Sequence, residues 1–142
     1  MSDMNDWNSK IIEEFRANEG KVGGQFEGAP LLLLTTTGNK SGQPHTVPLM
    51  YLPYGDRLVV FASKAGAPTN PDWYFNVLAH PMATVEVRTK TFEATASIVP
   101  DDLRDELYAK QAEAYPGFAE YQAKTTRKIP AVSLRMAGKK PR

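Results

Sequence analysis

Four consecutive leucines, Leu31 to Leu34, constrain this chain more than any other stretch of it. A strand sends successive side chains to opposite faces. An unbroken apolar run must therefore be buried on both sides. Pro30 to Thr37 reads as such a strand. The chain then breaks into Gly38-Asn39-Lys40-Ser41-Gly42-Gln43 and returns through Pro44 into a second apolar segment. Gly38 and Gly42 permit positive φ or close approach of the backbone to a ligand. Lys40 and Ser41 put a cation and a hydroxyl at the tip. A strand–loop–strand so equipped can cradle an anion. The same residues also suit a solvated hairpin, and the loop lacks a full phosphate-binding fingerprint.

The remaining chain supplies more strands and few helices. Residues 1–6 are polar and are expected to be loose. Trp7, Ile11, Ile12 and Phe15 recur at helical spacing, predicting an amphipathic helix from Asp6 to Asn18, capped by Asp6 and ended by Gly20, Gly23 and Gly24. Its polar face carries Glu13, Glu14, Arg16 and Glu19, which fits packing on the protein better than lying on a membrane. Thr46 to Tyr54 is a second strand, with Pro48 and Pro53 giving it edge or bulge character. Tyr54-Gly55-Asp56-Arg57 is a tight turn into a third, Leu58 to Ala62. A second lysine-bearing loop follows from Ser63 to Pro71. Asn70 is a good cap and Pro71 a good first residue for a helix reaching Ala79. Ala83 to Arg88 and Thr91 to Pro100 are further strands. Asp101 caps a helix to Ala114 with Leu103, Leu107, Tyr108 and Gln111 on one side. Tyr115 to Phe118 breaks it, a short helix with Tyr121 ends near Thr125, and Ile129 to Met136 is the last strand. Six antiparallel strands with sparse helices describe a mainly β domain with flanking helices, a small barrel over residues 1–142 ending in a basic tail at 137–142.

Several function classes are excluded. The net charge is +1 and no basic stripe runs through the domain, so nucleic acid is not an expected partner. With no cysteine there is no thiol chemistry, and His45 and His80 lack metal-ligand spacing. No metal site is expected. No apolar run approaches about 18 residues, so a cytoplasmic location is expected, and membrane association, if any, would fall to the N-terminal helix. Ser41 and Ser63 have no histidine–aspartate partnership and there is no nucleophile elbow, which argues against a hydrolase. What remains is two loops, each with a lysine beside a serine and a glycine, each leaving an apolar strand. Trp73 opens the helix after the second. Two cations with nearby amides suit an anionic ligand, and Trp73 suits a flat ring. A cofactor of that shape would carry the redox chemistry while the protein orients it.

Three motifs in order carry a resemblance: T-T-G-N-K-S-G-Q-P-H-T-V-P-L (Thr36 to Leu49), A-S-K-A-G-A (Ala62 to Ala67) and N-P-D-W-Y-F-N (Asn70 to Asn76). Together they resemble the deazaflavin-dependent nitroreductase and quinone reductase family, from about Asn8 to Met136. The resemblance implies a split β-barrel of the flavin-reductase/FMN-binding type. It also implies hydride transfer from reduced coenzyme F420 to a small-molecule acceptor such as a quinone, a nitroaromatic or an unsaturated lactone. By position, Asn39, Lys40 and Ser41 would meet the cofactor's phosphate and glutamate tail. His45 stands where the family commonly has arginine. Thr46, Val47, Pro48, Leu49 and Met50 would line the tail and ring. Phe61, Ala62, Ser63 and Lys64 would run along the ring and phosphate, and Asp72, Trp73, Tyr74, Phe75 and Asn76 would close the pocket. The family's tyrosine cluster matches Tyr115 and Tyr121, with Phe118 between them, and these tyrosines with Ser63 are the candidate catalytic donors. An FMN-using relative, a non-catalytic binder of the deazaflavin or of a lipid-like or haem-like ligand, and pairing into a homodimer are further expectations.

Overall fold

The structure, a computed structural model, describes residues 3–22 and 30–136, without the side chains of residues 3–8 and 65. The elements run α1 (Asp3–Ala17), β1 (Leu31–Thr37), β2 (Pro44–Met50), β3 (Leu52–Tyr54), β4 (Arg57–Phe61), a 3-10 turn (Lys64–Gly66), α2 (Asp72–Ala79), β5 (Met82–Val87), β6 (Lys90–Ile98), α3 (Asp101–Ala114), α4 (Gly117–Ala123) and β7 (Ala131–Met136). The seven strands form one antiparallel sheet in the order β2-β1-β5-β6-β7-β4-β3. β2 and β3 are consecutive in the chain yet lie at opposite edges of that sheet. Only Tyr51 separates them, so the sheet must curl until its edges meet. That closure makes a split β-barrel.

The leucine run behaves as its alternation requires. Leu32 and Leu34 point into the barrel, where they meet Val60, Val85, Val132 and Leu134. Leu31 and Leu33 point outward and are covered by Phe15 of α1 and by Val22. All four leucines are at most 5% exposed. A bidentate Arg16–Glu86 pair, at 3.1 and 2.7 Å, ties α1 to β5. On the far side, Val59, Phe61 and Ala131 are covered by Leu107 and Tyr108 of α3 and Phe118 of α4. α2 sends Trp73 and Val77 into the barrel interior and so plugs one end of it.

Some boundaries differ from the expected ones. The second strand is two strands, because the chain crosses from one edge to the other at Tyr51, whose N–H is held by the Pro30 carbonyl at 3.2 Å. The count is therefore seven among the described residues. α1 begins at Asp3, inside the segment expected to be loose, and Asp6 lies within it. Asn70 does not cap α2. Pro71 holds the capping position, and the Asn70 side chain accepts from Arg127 at 2.6 Å. Pro100, not Asp101, precedes α3, and Asp101 and Asp102 sit in its first turn, where they suit the helix dipole. Gly23, Gly24, the side chain of Trp7 and the basic tail lie outside the described residues.

Candidate functional site

β1 and β2 pair in register up to Thr37 and Pro44, so residues 38–43 must reverse the chain. The Gly38 N–H donates to the Gln43 carbonyl at 2.8 Å, and the Gly42 N–H to the Gly38 carbonyl at 3.0 Å. Gly38 lies close under two side chains: a Cβ there would sit 2.5 Å from Ser41 Oγ and 2.9 Å from His45 Nε2, so both would have to swing aside. Ser41 Oγ accepts from the Gln43 N–H at 3.1 Å and lies 3.4 Å from His45 Nε2. The loop is pinned to α2 by Asn76, which is buried. Its Oδ1 accepts from the Asn39 N–H at 2.8 Å, and its Nδ2 donates to the equally buried Thr36 Oγ1 at 3.0 Å. Pairing at both ends of the amide offsets the cost of burying it and fixes the loop against the helix.

This pinning leaves a cavity of about 880 Å³ between the loop, the start of α2 and the middle of α1. Ten of the expected site residues line it: Asn39, Lys40, Ser41, His45, Thr46, Val47, Asp72, Trp73, Phe75 and Asn76. Gly38 lines it too, as do Ser9 and Ile12 of α1, which sequence reasoning did not include. Nothing local marks those two, because α1 reaches the site through tertiary contacts, Phe15 on β1 and Arg16 on Glu86 of β5. Among the described residues Lys40 has no carboxylate within ion-pair distance. Trp73, a core residue, and Phe75, exposed at 43%, line the same cavity. Tyr74 packs edge-on between these rings, 6.5 Å from Trp73 and 5.6 Å from Phe75.

The other expected residues lie elsewhere. Leu49 packs against the barrel interior, and Pro48 and Met50 alternate to the other face, Met50 touching the cores under α1 and α3. Ala62 is buried inside the barrel, and Phe61 packs edge-on against Tyr108 at 5.2 Å. Ser63 and Lys64 sit on the second loop, where the Lys64 ammonium reaches Thr69 Oγ1 at 3.4 Å. Tyr115 and Tyr121 are half-buried in the aromatic cluster around Phe118, with Tyr121 5.3 Å from the Phe118 ring. Neither tyrosine is brought to the cavity wall. α4 does press against the second loop: a Cβ on Gly66, whose φ is +81°, would lie 2.8 Å from the Tyr121 carbonyl.

Sequence reasoning missed Arg127. Its guanidinium donates to the carbonyls of Ala62 (3.2 Å), Ser63 (2.9 Å) and Ala67 (2.9 Å) as well as to Asn70. Burial lowers its pKa, offset in part by Tyr108. The only local signal was an arginine in a short polar connection, which is common.

A cavity lined by Lys40, with no carboxylate within ion-pair distance among the described residues, by the Ser41 hydroxyl and by two aromatic rings suits a long anionic molecule with a flat head. Similar proteins bear on what that molecule is. The sequence profile described as F420H(2)-dependent quinone reductase matches residues 7–135. An F420H(2)-dependent quinone reductase of Mycobacterium tuberculosis is 39% identical over 125 residues, covering 84% of this chain and 83% of the relative. A solved F420-H2 dependent reductase is 41% identical with a TM-score of 0.68, covering 75% of this chain and 94% of that one. A structure described as a domain-swapped dimer is 36% identical with a TM-score of 0.69, covering 94% and 98%. The chain belongs to the F420H(2)-dependent quinone reductase family, oxidoreductases that pass a hydride from reduced coenzyme F420 to a quinone.

Proposed function

We propose that the cavity beside the β1–β2 loop is where this chain holds reduced coenzyme F420, with Lys40, Ser41 and His45 toward the anionic tail and Trp73, Phe75 and Val47 toward the ring. The observation that carries this reading is one cavity of about 880 Å³ lined by both Lys40, with no carboxylate partner among the described residues, and the rings of Trp73 and Phe75. Lys40 holds an anion by a charge-assisted bond. Asn76 keeps the loop in place, and Asp72 and Trp73 bound the pocket. Ser63 and Lys64 make a second anion contact.

Bound reduced F420 supplies the hydride. A quinone that takes up a hydride also takes up one proton to become the quinol. The proposed proton donors are Ser63, Tyr115 and Tyr121. Phe118 has no hydroxyl and cannot serve. Replacing the true donor, as Ser63→Ala, Tyr115→Phe or Tyr121→Phe, lowers kcat about 100-fold, and the two tyrosine variants, being off the cavity wall, keep cofactor affinity unchanged. Full activity in all three variants would remove these residues from the chemistry.

The decisive experiment is titration with F420, followed by fluorescence, and then turnover with quinones, nitroaromatics and unsaturated lactones. Absence of binding at high micromolar cofactor overturns the reading. Binding without turnover of any acceptor would leave a carrier instead of an enzyme. We also infer from the relative solved as a domain-swapped dimer that this chain pairs. A light-scattering mass equal to one chain, 15.7 kDa, would contradict that.

A further inference from the structure

The second loop is held in an unusual shape. Ser63 is right-handed (φ −77°, ψ −40°) and Lys64 left-handed (φ +47°). A right-handed residue followed by a left-handed one turns successive N–H groups toward a common point, a concavity that suits an anion. The amides of Gly66 and Ala67 are spent within the turn, on the carbonyls of Ser63 and Lys64. Among the described residues the N–H groups of Ser63 and Lys64 have no hydrogen-bond acceptor.

Arg127 sets this shape. It takes the carbonyls of Ala62 and Ser63 on its guanidinium. In a trans peptide the carbonyl and the following N–H point in opposite directions. Turning those two carbonyls toward Arg127 therefore turns the amides of Ser63 and Lys64 away from it, outward. The same guanidinium holds the Ala67 carbonyl and Asn70, in the run that leads through Pro71 into α2 and its cavity-lining Asp72 and Trp73. Arg127 is itself fixed: its carbonyl accepts from Gln122 Nε2 at 2.7 Å, and its N–H donates to Thr125 Oγ1 at 3.3 Å. Among the described residues it has no carboxylate within ion-pair distance, and neither do Lys64 and Lys124 close by. A half-buried charge left without a counter-ion is costly unless something uses it.

We propose that Arg127 is a positioning residue of the cofactor site, its planar fork holding Ala62 to Asn70 so that the Ser63 and Lys64 amides and the Lys64 ammonium face an anionic group of the cofactor. This rests on the F420 reading above. Lysine at this position keeps the charge but cannot hold several carbonyls in one plane.

The test is a double-mutant cycle on the F420 dissociation constant, with unfolding midpoints measured alongside. Arg127→Lys weakens binding about tenfold. In that background Lys64→Ala adds less than about twofold, because its partner loop is already displaced, whereas Lys40→Ala, on the other loop, still has its full effect. Arg127→Lys binding as tightly as the wild type overturns the proposal. So does a cycle in which Arg127→Lys and Lys64→Ala multiply as independent changes. Should Arg127→Lys fail to fold, Asn70→Ala removes one acceptor of the guanidinium and shows the same pattern with a smaller loss, while full additivity with Lys64→Ala overturns the proposal. Wild-type protein that does not bind F420 defeats the cofactor reading itself. Wild-type binding with unaltered variants defeats only the role of Arg127.

Discussion

Lys40 and Asn76 do opposite jobs in one loop. Lys40 is exposed on the cavity wall, whereas Asn76 is buried and holds the loop. Their substitutions should separate accordingly. Lys40→Ala weakens F420 binding by about 1–3 kcal/mol and leaves the unfolding midpoint unchanged. His45→Arg tightens binding, since arginine carries a permanent charge. A loss of affinity there would mean that the imidazole fills a role arginine cannot. Asn76→Ala strips partners from the Thr36 hydroxyl and the Asn39 amide, costs about 1–3 kcal/mol of stability, and loosens the site as well; denaturant titration checks the first and the cofactor dissociation constant the second. How far such roles can be foreseen differs by residue. Lys40 was legible because a lysine in a glycine loop at the end of a buried strand has no use in the core. Asn76 was reached only through family resemblance, since its partners are 37 and 40 residues away. Arg127 was invisible: its four acceptors lie 57 to 65 residues upstream, and no periodicity encodes a guanidinium that gathers distant carbonyls.

Among the elements, α3 and α4 show most clearly how burial and charge work together. Tyr108 donates to the Phe118 carbonyl at 2.6 Å, packs edge-on against Phe61 and lies under the Arg104 guanidinium at 4.4 Å. Burial pushes its pKa from 10.0 up to about 12, despite the opposing charge of Arg104. Folding thus favours the neutral phenol. Its contribution to stability is whole below pH 10 and is lost as pH rises through about 12. Tyr108→Phe should abolish the latest phase of the alkaline absorbance titration, and an unchanged curve would contradict the burial. The stripe Leu103, Leu107, Tyr108 and Gln111 was readable from helical spacing. Arg104, in the same stripe and only 7% exposed, was not, because its burial depends on the Ile129 carbonyl and Gln122 being there to receive it. α1 follows the same rule. Its apolar spacing foretold the helix, but not that Ser9 and Ile12 would reach the cavity.

At the scale of the molecule, strand alternation and turn residues carried most of the architecture. Leu31 to Leu34 required burial on both faces, and the Gly55-Asp56 turn gave the β3–β4 hairpin. Closure was harder to foresee. Thr46 to Tyr54 reads as one strand, and only the sheet order shows that its halves serve opposite edges. Tyr51 is therefore the clasp of a hoop, and slack introduced there has a cost that slack elsewhere lacks. Two residues inserted after Tyr51 would let the β2 and β3 edges part and offer unpaired backbone to other molecules. The same insertion between Gly55 and Asp56 lengthens one exposed hairpin turn and leaves both edges where they are. Light scattering over a concentration series should show clumping in the first protein and none in the second. The tolerance of this chain to lengthening is thus set less by how exposed a position is than by whether it spans the seam.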